Sequence, residues 1–269
     1  MQRYLDIYRI LLRNSLIREM NFAANFWLWL VCEALWFVAQ VALIEVVFLY
    51  TDSVAGWDKW QVVMLYGTHH LASQIFQAVC FVNLVNVPEL IRTGKMDFLM
   101  LQPINAQFAA STKQFGFDNL VNAFLGLAFV VFACYKLSFI PSSAQVVLYL
   151  LAVALAVVIH YSLTTLLVTV SFWIVRAQGA VYAYYNFMNL ARYPDAVFGT
   201  APAAVKFLLT LVFPVLLVAN VPTRLLNDIT SGPALWMSAC LLVISAVWIF
   251  SFSVFFWNLG MKNYTSASS

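Results

Sequence analysis

Residues 146–174 read VVLYLLAVALAVVIHYSLTTLLVTVSFWI, without a single Asp, Glu, Lys or Arg. A helix needs about 20 apolar residues to cross the hydrocarbon of a bilayer, so this run is long enough to span it. A membrane barrel would instead show alternating segments of about ten residues, and this run is continuous. Its surroundings repeat the pattern. Further spans are expected over Phe26 to Leu49, Val62 to Leu84, Leu120 to about Ile140 and Ala234 to Trp257. Lys136 lies near one end of its span and can snorkel to the headgroups. A sixth span, Gly179 to Phe198, is more polar, with Asn186, Asn189 and Arg192, and needs protein around it. The expected fold is an all-α polytopic membrane protein of six transmembrane helices.

The whole 269-residue chain agrees, with 64% hydrophobic and 9% charged residues. Soluble domains run at roughly 45–50% and about 25%. Fourteen basic and eleven acidic side chains cannot cover a soluble globule of this size. That argues against a soluble enzyme, a nucleic-acid binder and a disordered chain. Cys32, Cys80, Cys134 and Cys240 fall inside apolar runs without metal-ligand spacing and read as small core residues. The first twenty residues are charged and lack a short apolar core, so the first span is expected to act as an uncleaved anchor. Residues 1–22 place Tyr4, Leu5, Tyr8, Leu11, Leu12 and Leu16 at helical spacing, with most arginines off that face. This predicts an amphipathic interfacial helix ahead of a single transmembrane domain, residues 23–269. With six spans, four arginines precede the first span and one lysine, Lys59, follows it. The excess of cations on that side places both termini in the cytoplasm.

Two stretches interrupt the spans. Ala203 to Asn220 is just long enough to cross, yet Pro214 divides it into an 11-residue piece and a shorter one, and Pro222 follows. Neither half crosses alone at ~1.5 Å per residue, which predicts a re-entrant pair of short helices, with a kinked seventh span as the alternative. The loop 86–117 is the longest polar segment. Pro88 suits a first helical position and Gly94 a helix stop, so a short cytoplasmic helix is expected over about Pro88 to Thr93.

The sequence holds few candidates for chemistry. Gly94-Lys95 resembles the end of a phosphate-binding loop, but Met96 replaces the required Ser or Thr and Glu89 stands where the first Gly belongs. His69 and His70 point about 100° apart on a helix, and no carboxylate or Cys stands at i+4, so a shared metal is not expected. Gly67, His70, Gln74, Gln77 and Phe81 share one helix face, either as inter-helix contacts or as the lining of a substrate path. Glu33 and Gln40 share a face of the first span, and Glu45 lies off it. They are read as structural partners or as proton carriers. Asp118 is placed to cap the third span. Thr164, Thr165, Thr169 and His160 read as helix contacts. No GxSxG or HExxH element supports an intramembrane protease. Trp27, Trp29, Trp57 and Trp60 flank the first two spans as interfacial anchors would.

The order of elements resembles the membrane subunit of an ABC exporter of the ABC-2 permease class, also described as type V exporters. The residues that carry the resemblance are Tyr4-Leu-Asp-Ile-Tyr-Arg, Ala24-Asn-Phe, Glu89-Leu-Ile-Arg-Thr-Gly-Lys-Met-Asp-Phe-Leu, Gln102-Pro-Ile-Asn, Arg192-Tyr-Pro, Phe213-Pro-Val and Asn220-Val-Pro. They cover essentially the whole chain and are closest to bacterial permease components. The resemblance implies a bacterial inner-membrane permease that moves an amphipathic, lipid-like or drug-like substrate out of the cytoplasm by alternating access. It implies that 86–117 is a coupling loop whose Pro88, Glu89, Leu90, Arg92, Thr93, Gly94, Lys95, Asp97 and Phe98 meet a separate ATPase. It implies that 200–228, with Pro202, Pro214, Asn220 and Pro222, is an extracellular re-entrant gate. Glu33, Gln40, His70, Gln74 and Gln77 are the candidates for the translocation path. The partners implied are two ATPase subunits, a second permease chain and the lipid bilayer, with no nucleic acid. No cofactor is expected on this chain, ATP and Mg being held by the ATPase. The alternative function is a proton-coupled secondary transporter using Glu33, Glu45 and His70. A third is a membrane scaffold for a cytoplasmic partner.

Overall fold

The structure, a computed structural model, describes residues 2–21, 23–174, 178–227 and 232–264. Arg176 lies outside these residues, as do the side chains of Arg3, Tyr4, Leu5 and Arg18. Among the described residues the secondary structure is helical, apart from one isolated bridge between Val54 and Trp57.

Helix α1 (Gln2–Asn21) leads into α2 (Ala23–Phe48). Helix α3 (Lys59–Phe76) starts from Asp58, which accepts from the Gln61 amide in a capping box. It continues through a π turn (Gln77–Phe81) to Leu84, and α4 (Val87–Arg92) follows. The loop that follows adds α5 (Met96–Met100) and α6 (Ala106–Thr112). Next come α7 (Phe117–Lys136) and α8 (Ser143–Thr169), which ends in a 3-10 turn to Phe172. Then follow α9 (Gln178–Met188), α10 (Ala203–Phe207), which tightens into a second π turn (Leu208–Val212), α11 (Val215–Leu226) and α12 (Pro233–Lys262).

Among the described residues five helices are long and apolar enough to cross a membrane: Phe26–Phe48, Lys59–Arg92, Phe117–Lys136, Ser143–Phe172 and Pro233–Lys262. The expected sixth, Gly179 to Phe198, falls short. Its α-helix ends at Met188, and a 3-10 turn runs over Asn189–Arg192. Pro194 explains the stop. Its ring disfavours helical backbone in the preceding residue, and Tyr193 is extended at φ −101°, ψ 145°.

Pro214 breaks the next segment as expected, with a 75° bend between Ala203–Val212 and Val215–Leu226. Phe213, before the proline, is pushed out of the helical region at φ −121°, ψ 85°. The second arm is the longer one, contrary to expectation, because the helix runs through Pro222 to Leu226.

The core lies where α3 crosses α7 and where α8 meets α11 and α12. Gly67 of α3 and Gly126 of α7 face each other. A Cβ on Gly126 would sit 2.9 Å from the Leu71 nitrogen, so only hydrogen fits there. Helix α2 stands apart. It buries a narrow line through Glu33, Phe37, Gln40 and Ile44, and Phe37 stacks within 4.4 Å of Phe129.

Several expectations are corrected by packing. Gly116, not Asp118, caps α7, and Asp118 accepts instead from the Asn119 amide at 3.1 Å. Cys80 and Cys134 are buried, but Cys32 and Cys240 are exposed on outer helix faces, outside the packed core. Trp57 is buried beneath the Arg224 guanidinium, 5.7 Å from its ring, rather than exposed as an anchor. Leu16 of α1 is exposed, while Ser15 is buried and its hydroxyl accepts from the Phe115 amide at 3.0 Å.

Candidate functional site

One polar cavity, about 300 Å³, lies between α2, α3 and α9. Its wall is built by helical periodicity. Tyr66, His69, His70, Ser73, Gln74 and Gln77 recur every three or four residues along α3 and so face one side. Glu33 and Trp36 of α2 close a second side, and Tyr185, Asn189 and Arg192 a third. Of the predicted path residues, Glu33, His70, Gln74 and Gln77 line this space. Gln40 adjoins it, its carbonyl accepting from Arg192 Nη1 at 3.2 Å.

The lining is cross-linked. Gln74 donates to the Glu33 carboxylate at 3.3 Å. Gln77 donates to Ser73 at 3.2 Å and accepts from the Tyr185 hydroxyl at 3.2 Å. Arg192 also bonds the Asn189 side chain and lies over the Tyr66 ring at 5.7 Å. Charged groups held at membrane depth are costly unless paired or hydrogen-bonded, and both are bonded here. Past the end of α9, the 3-10 turn Asn189–Arg192 carries this arginine to the cavity. The signal for it was present: Asn189 and Arg192 lie three apart in a segment too polar to face lipid.

Glu45 does not join this cavity. It pairs at 3.0 Å with Lys59, the first residue of α3. Phe81 of the predicted stripe packs its ring on Tyr185 at 4.8 Å, and Gly67 serves the α3–α7 crossing. His69 and His160 lie with ring centroids 6.3 Å apart in the core, and His160 bonds the Tyr184 hydroxyl. Among the described residues no group of three His, Cys, Asp or Glu is arranged to hold a metal.

The second zone is the loop around α4. The 34-residue stretch Lys59–Arg92 is about 51 Å long at ~1.5 Å per residue, well beyond the roughly 30 Å of hydrocarbon that a span must cross. Pro88 is buried at the start of α4, and Leu90 is half-buried against the core. Glu89 and Arg92 form an exposed two-bond pair at 2.7 and 2.8 Å. The bond from Arg92 holds the Glu89 carboxyl below the usual carboxylate range. The Thr93 hydroxyl closes the helix on the Glu89 carbonyl at 2.8 Å, and Gly94 reverses the chain at φ +70°. Lys95 and Phe98 are exposed, Phe98 by 71%, and Asp97 sits in the first turn of α5.

The third zone is the bent pair α10–α11. Lys206 and Thr210 from one arm and Leu216, Leu217 and Arg224 from the other line a single cavity of about 290 Å³ with Asp195. Arg224 pairs with Asp195. Buried Asn220 ties this arm to the preceding loop, accepting from the Asp195 amide at 2.9 Å and donating to the Tyr193 carbonyl at 3.2 Å. Pro202 starts α10 at the exposed end, while Pro214 and Pro222 are buried.

A family model described as ABC-2 family transporter protein matches residues 34–268. No curated protein and no solved structure matched the chain. The family match runs from the first span through all three zones to the C-terminal residues. Members of this family are membrane transport components rather than catalytic proteins, and they work with an ABC ATPase. By this match and by its apolar helices, the chain is a multi-pass membrane protein that belongs to the ABC-2 transporter family.

Proposed function

We propose that this chain is the permease subunit of an ABC exporter, in the cytoplasmic membrane with both termini inside. Two copies of a cytoplasmic ATPase, carrying ATP and Mg, drive it together with a second permease chain, identical or paralogous. The observation that carries this reading is that one rod joins two zones. Helix α3 lines the polar cavity from Tyr66 to Gln77 and continues, past its π turn, into the exposed Glu89–Arg92 helix. A push on Glu89, Arg92, Lys95 and Asp97 from a partner would reach the cavity wall through that rod. Exposed Phe98 offers the partner an apolar anchor beside the charges. The bent pair α10–α11 acts as the re-entrant outer gate, its two arms set at a 75° bend and lining one cavity with Asp195.

The test is a mild-detergent pull-down from the native membrane followed by mass spectrometry. A soluble subunit with a phosphate-binding loop should co-purify, and scrambling Glu89 to Asp97 should abolish its recovery while the permease still folds. Recovery of the folded permease alone would overturn the reading. The proton-coupled alternative keeps one supporting observation, that Glu33 and His70 line the same cavity. It predicts transport that follows a proton gradient and survives ATP depletion.

A further inference from the structure

The polar cavity is selective in its chemistry. Its formal charges, one from Glu33 and one from Arg192, cancel, and each is already bonded to side-chain amides. A net cation or anion entering would meet one attraction and one repulsion at close range in a medium of low dielectric. The rest of the wall is amide, hydroxyl and imidazole, groups that both donate and accept. Open valence of both kinds remains there. Gln74 Oε1, an acceptor, and Arg192 Nε, a donor, are buried without a hydrogen-bond partner. A hydroxyl serves both, an ionised phosphate only accepts, and a quaternary ammonium does neither.

Size narrows the class further. At ~30 Å³ per water molecule, a cavity of 300 Å³ holds on the order of ten non-hydrogen atoms, about one sugar ring. Trp36 sets the geometry of entry. It lines the cavity while 58% exposed on the outer face of α2, so the space opens sideways toward the bilayer. A polar group can enter there while an apolar remainder stays in lipid.

Resting on the export reading above, we propose that this cavity is a subsite for an uncharged, hydroxyl-rich head group, the size of one sugar ring, on an amphipathic molecule. The probes are four amphiphiles with the same dodecyl tail: dodecyl glucoside, dodecylphosphocholine, dodecyl phosphate and dodecyltrimethylammonium. Free glucose is the fifth. The permease carrying Ser73→Cys, in lipid nanodiscs, is labelled with a small hydrophilic methanethiosulfonate, and the wild-type chain gives the background from its four cysteines. Ser73 lies in the wall, and the exchange hardly alters its volume. Asn189→Cys is the second reporter if the first variant does not fold.

Dodecyl glucoside at saturation should slow labelling about tenfold, while the three charged or zwitterionic amphiphiles and free glucose change it by less than about twofold. Gln74→Leu should remove the protection. Equal protection by all four heads would assign binding to the tail. Protection by free glucose would remove the amphipathic requirement, and preference for a charged head would remove the neutral one. A thiol that never reacts would show the cavity closed to polar groups. Each of these outcomes overturns the proposal. The assay requires no ATPase, so its failure and a failed pull-down are separate results.

Discussion

Asn83 shows how much one side chain can hold. It is buried, and its amide donates to the carbonyls of Ser111 at 3.1 Å and Gln114 at 2.8 Å, while its carbonyl accepts from the Gln114 amide at 2.7 Å. It thereby stitches the far end of the α3 rod, near Leu84, to the turn that leads into α7. Asn83→Ala should destabilise the protein by roughly 2–4 kcal/mol, since each buried polar group left unpaired costs about 1–3 kcal/mol. Asn83→Asp keeps the acceptor but turns an oxygen toward the Ser111 and Gln114 carbonyls, and should destabilise at least as much. Thermal unfolding in detergent measures both, and an unchanged midpoint for Asn83→Ala would contradict the account. Nothing local to Asn83 in the sequence announces this role, because its partners lie 28 and 31 residues away. Gln74 and Gln77 were legible for the opposite reason. Their spacing puts them on one helix face, and helical periodicity is a property of the chain itself. What that face meets is not. Gly67 shared the stripe, and only the crossing with Gly126 reveals that it serves close packing rather than polarity.

Among the elements, the bent pair α10–α11 is held to its surroundings by one partly buried ion pair. Arg224 and Asp195 have side chains 17% and 29% exposed. Asp195→Asn and Arg224→Gln should each destabilise by about 1–2 kcal/mol, well below the cost of breaking a fully buried pair because water still reaches both groups. The double variant should cost less than the sum, with a coupling of at least about 0.5 kcal/mol in a double-mutant cycle. Additive losses would mean that the pair does not latch the two segments. The break itself was readable, since Pro214 acts through its own ring. The length of α9 was misread because apolar residues continue to Phe198, while the extended Tyr193 before Pro194 ends the helix first. Pro222 misled in the other direction. A proline within α11 is tolerated where neighbouring helices surround it, and Val221, Pro222 and Thr223 are all buried.

At the scale of the molecule, α2 is the least embedded of the spans, with 6% of its most apolar window buried. A helix so exposed faces either lipid or another chain. The cavity opening beside Trp36 takes lipid on that side of α2 and leaves its other side for a second permease chain, and native mass spectrometry of the purified complex should give two permease chains and two ATPases. A particle with one of each would count against it. The class of the fold was legible throughout, because apolar length is written directly in the chain. The cavity was half legible: its α3 wall follows from periodicity, but the meeting of α2 and α9 across it depends on packing between distant segments. The two π turns add a consequence of their own. One lies between the cavity and α4, the other at the tip of the bent pair. Each holds one residue more than an α-helical turn requires. Handing that surplus to the adjoining turn would rotate the helix beyond it by about 100° and shift it by ~1.5 Å. A signal travelling along α3 would then advance in whole-residue clicks, as a ratchet does, instead of leaning by degrees.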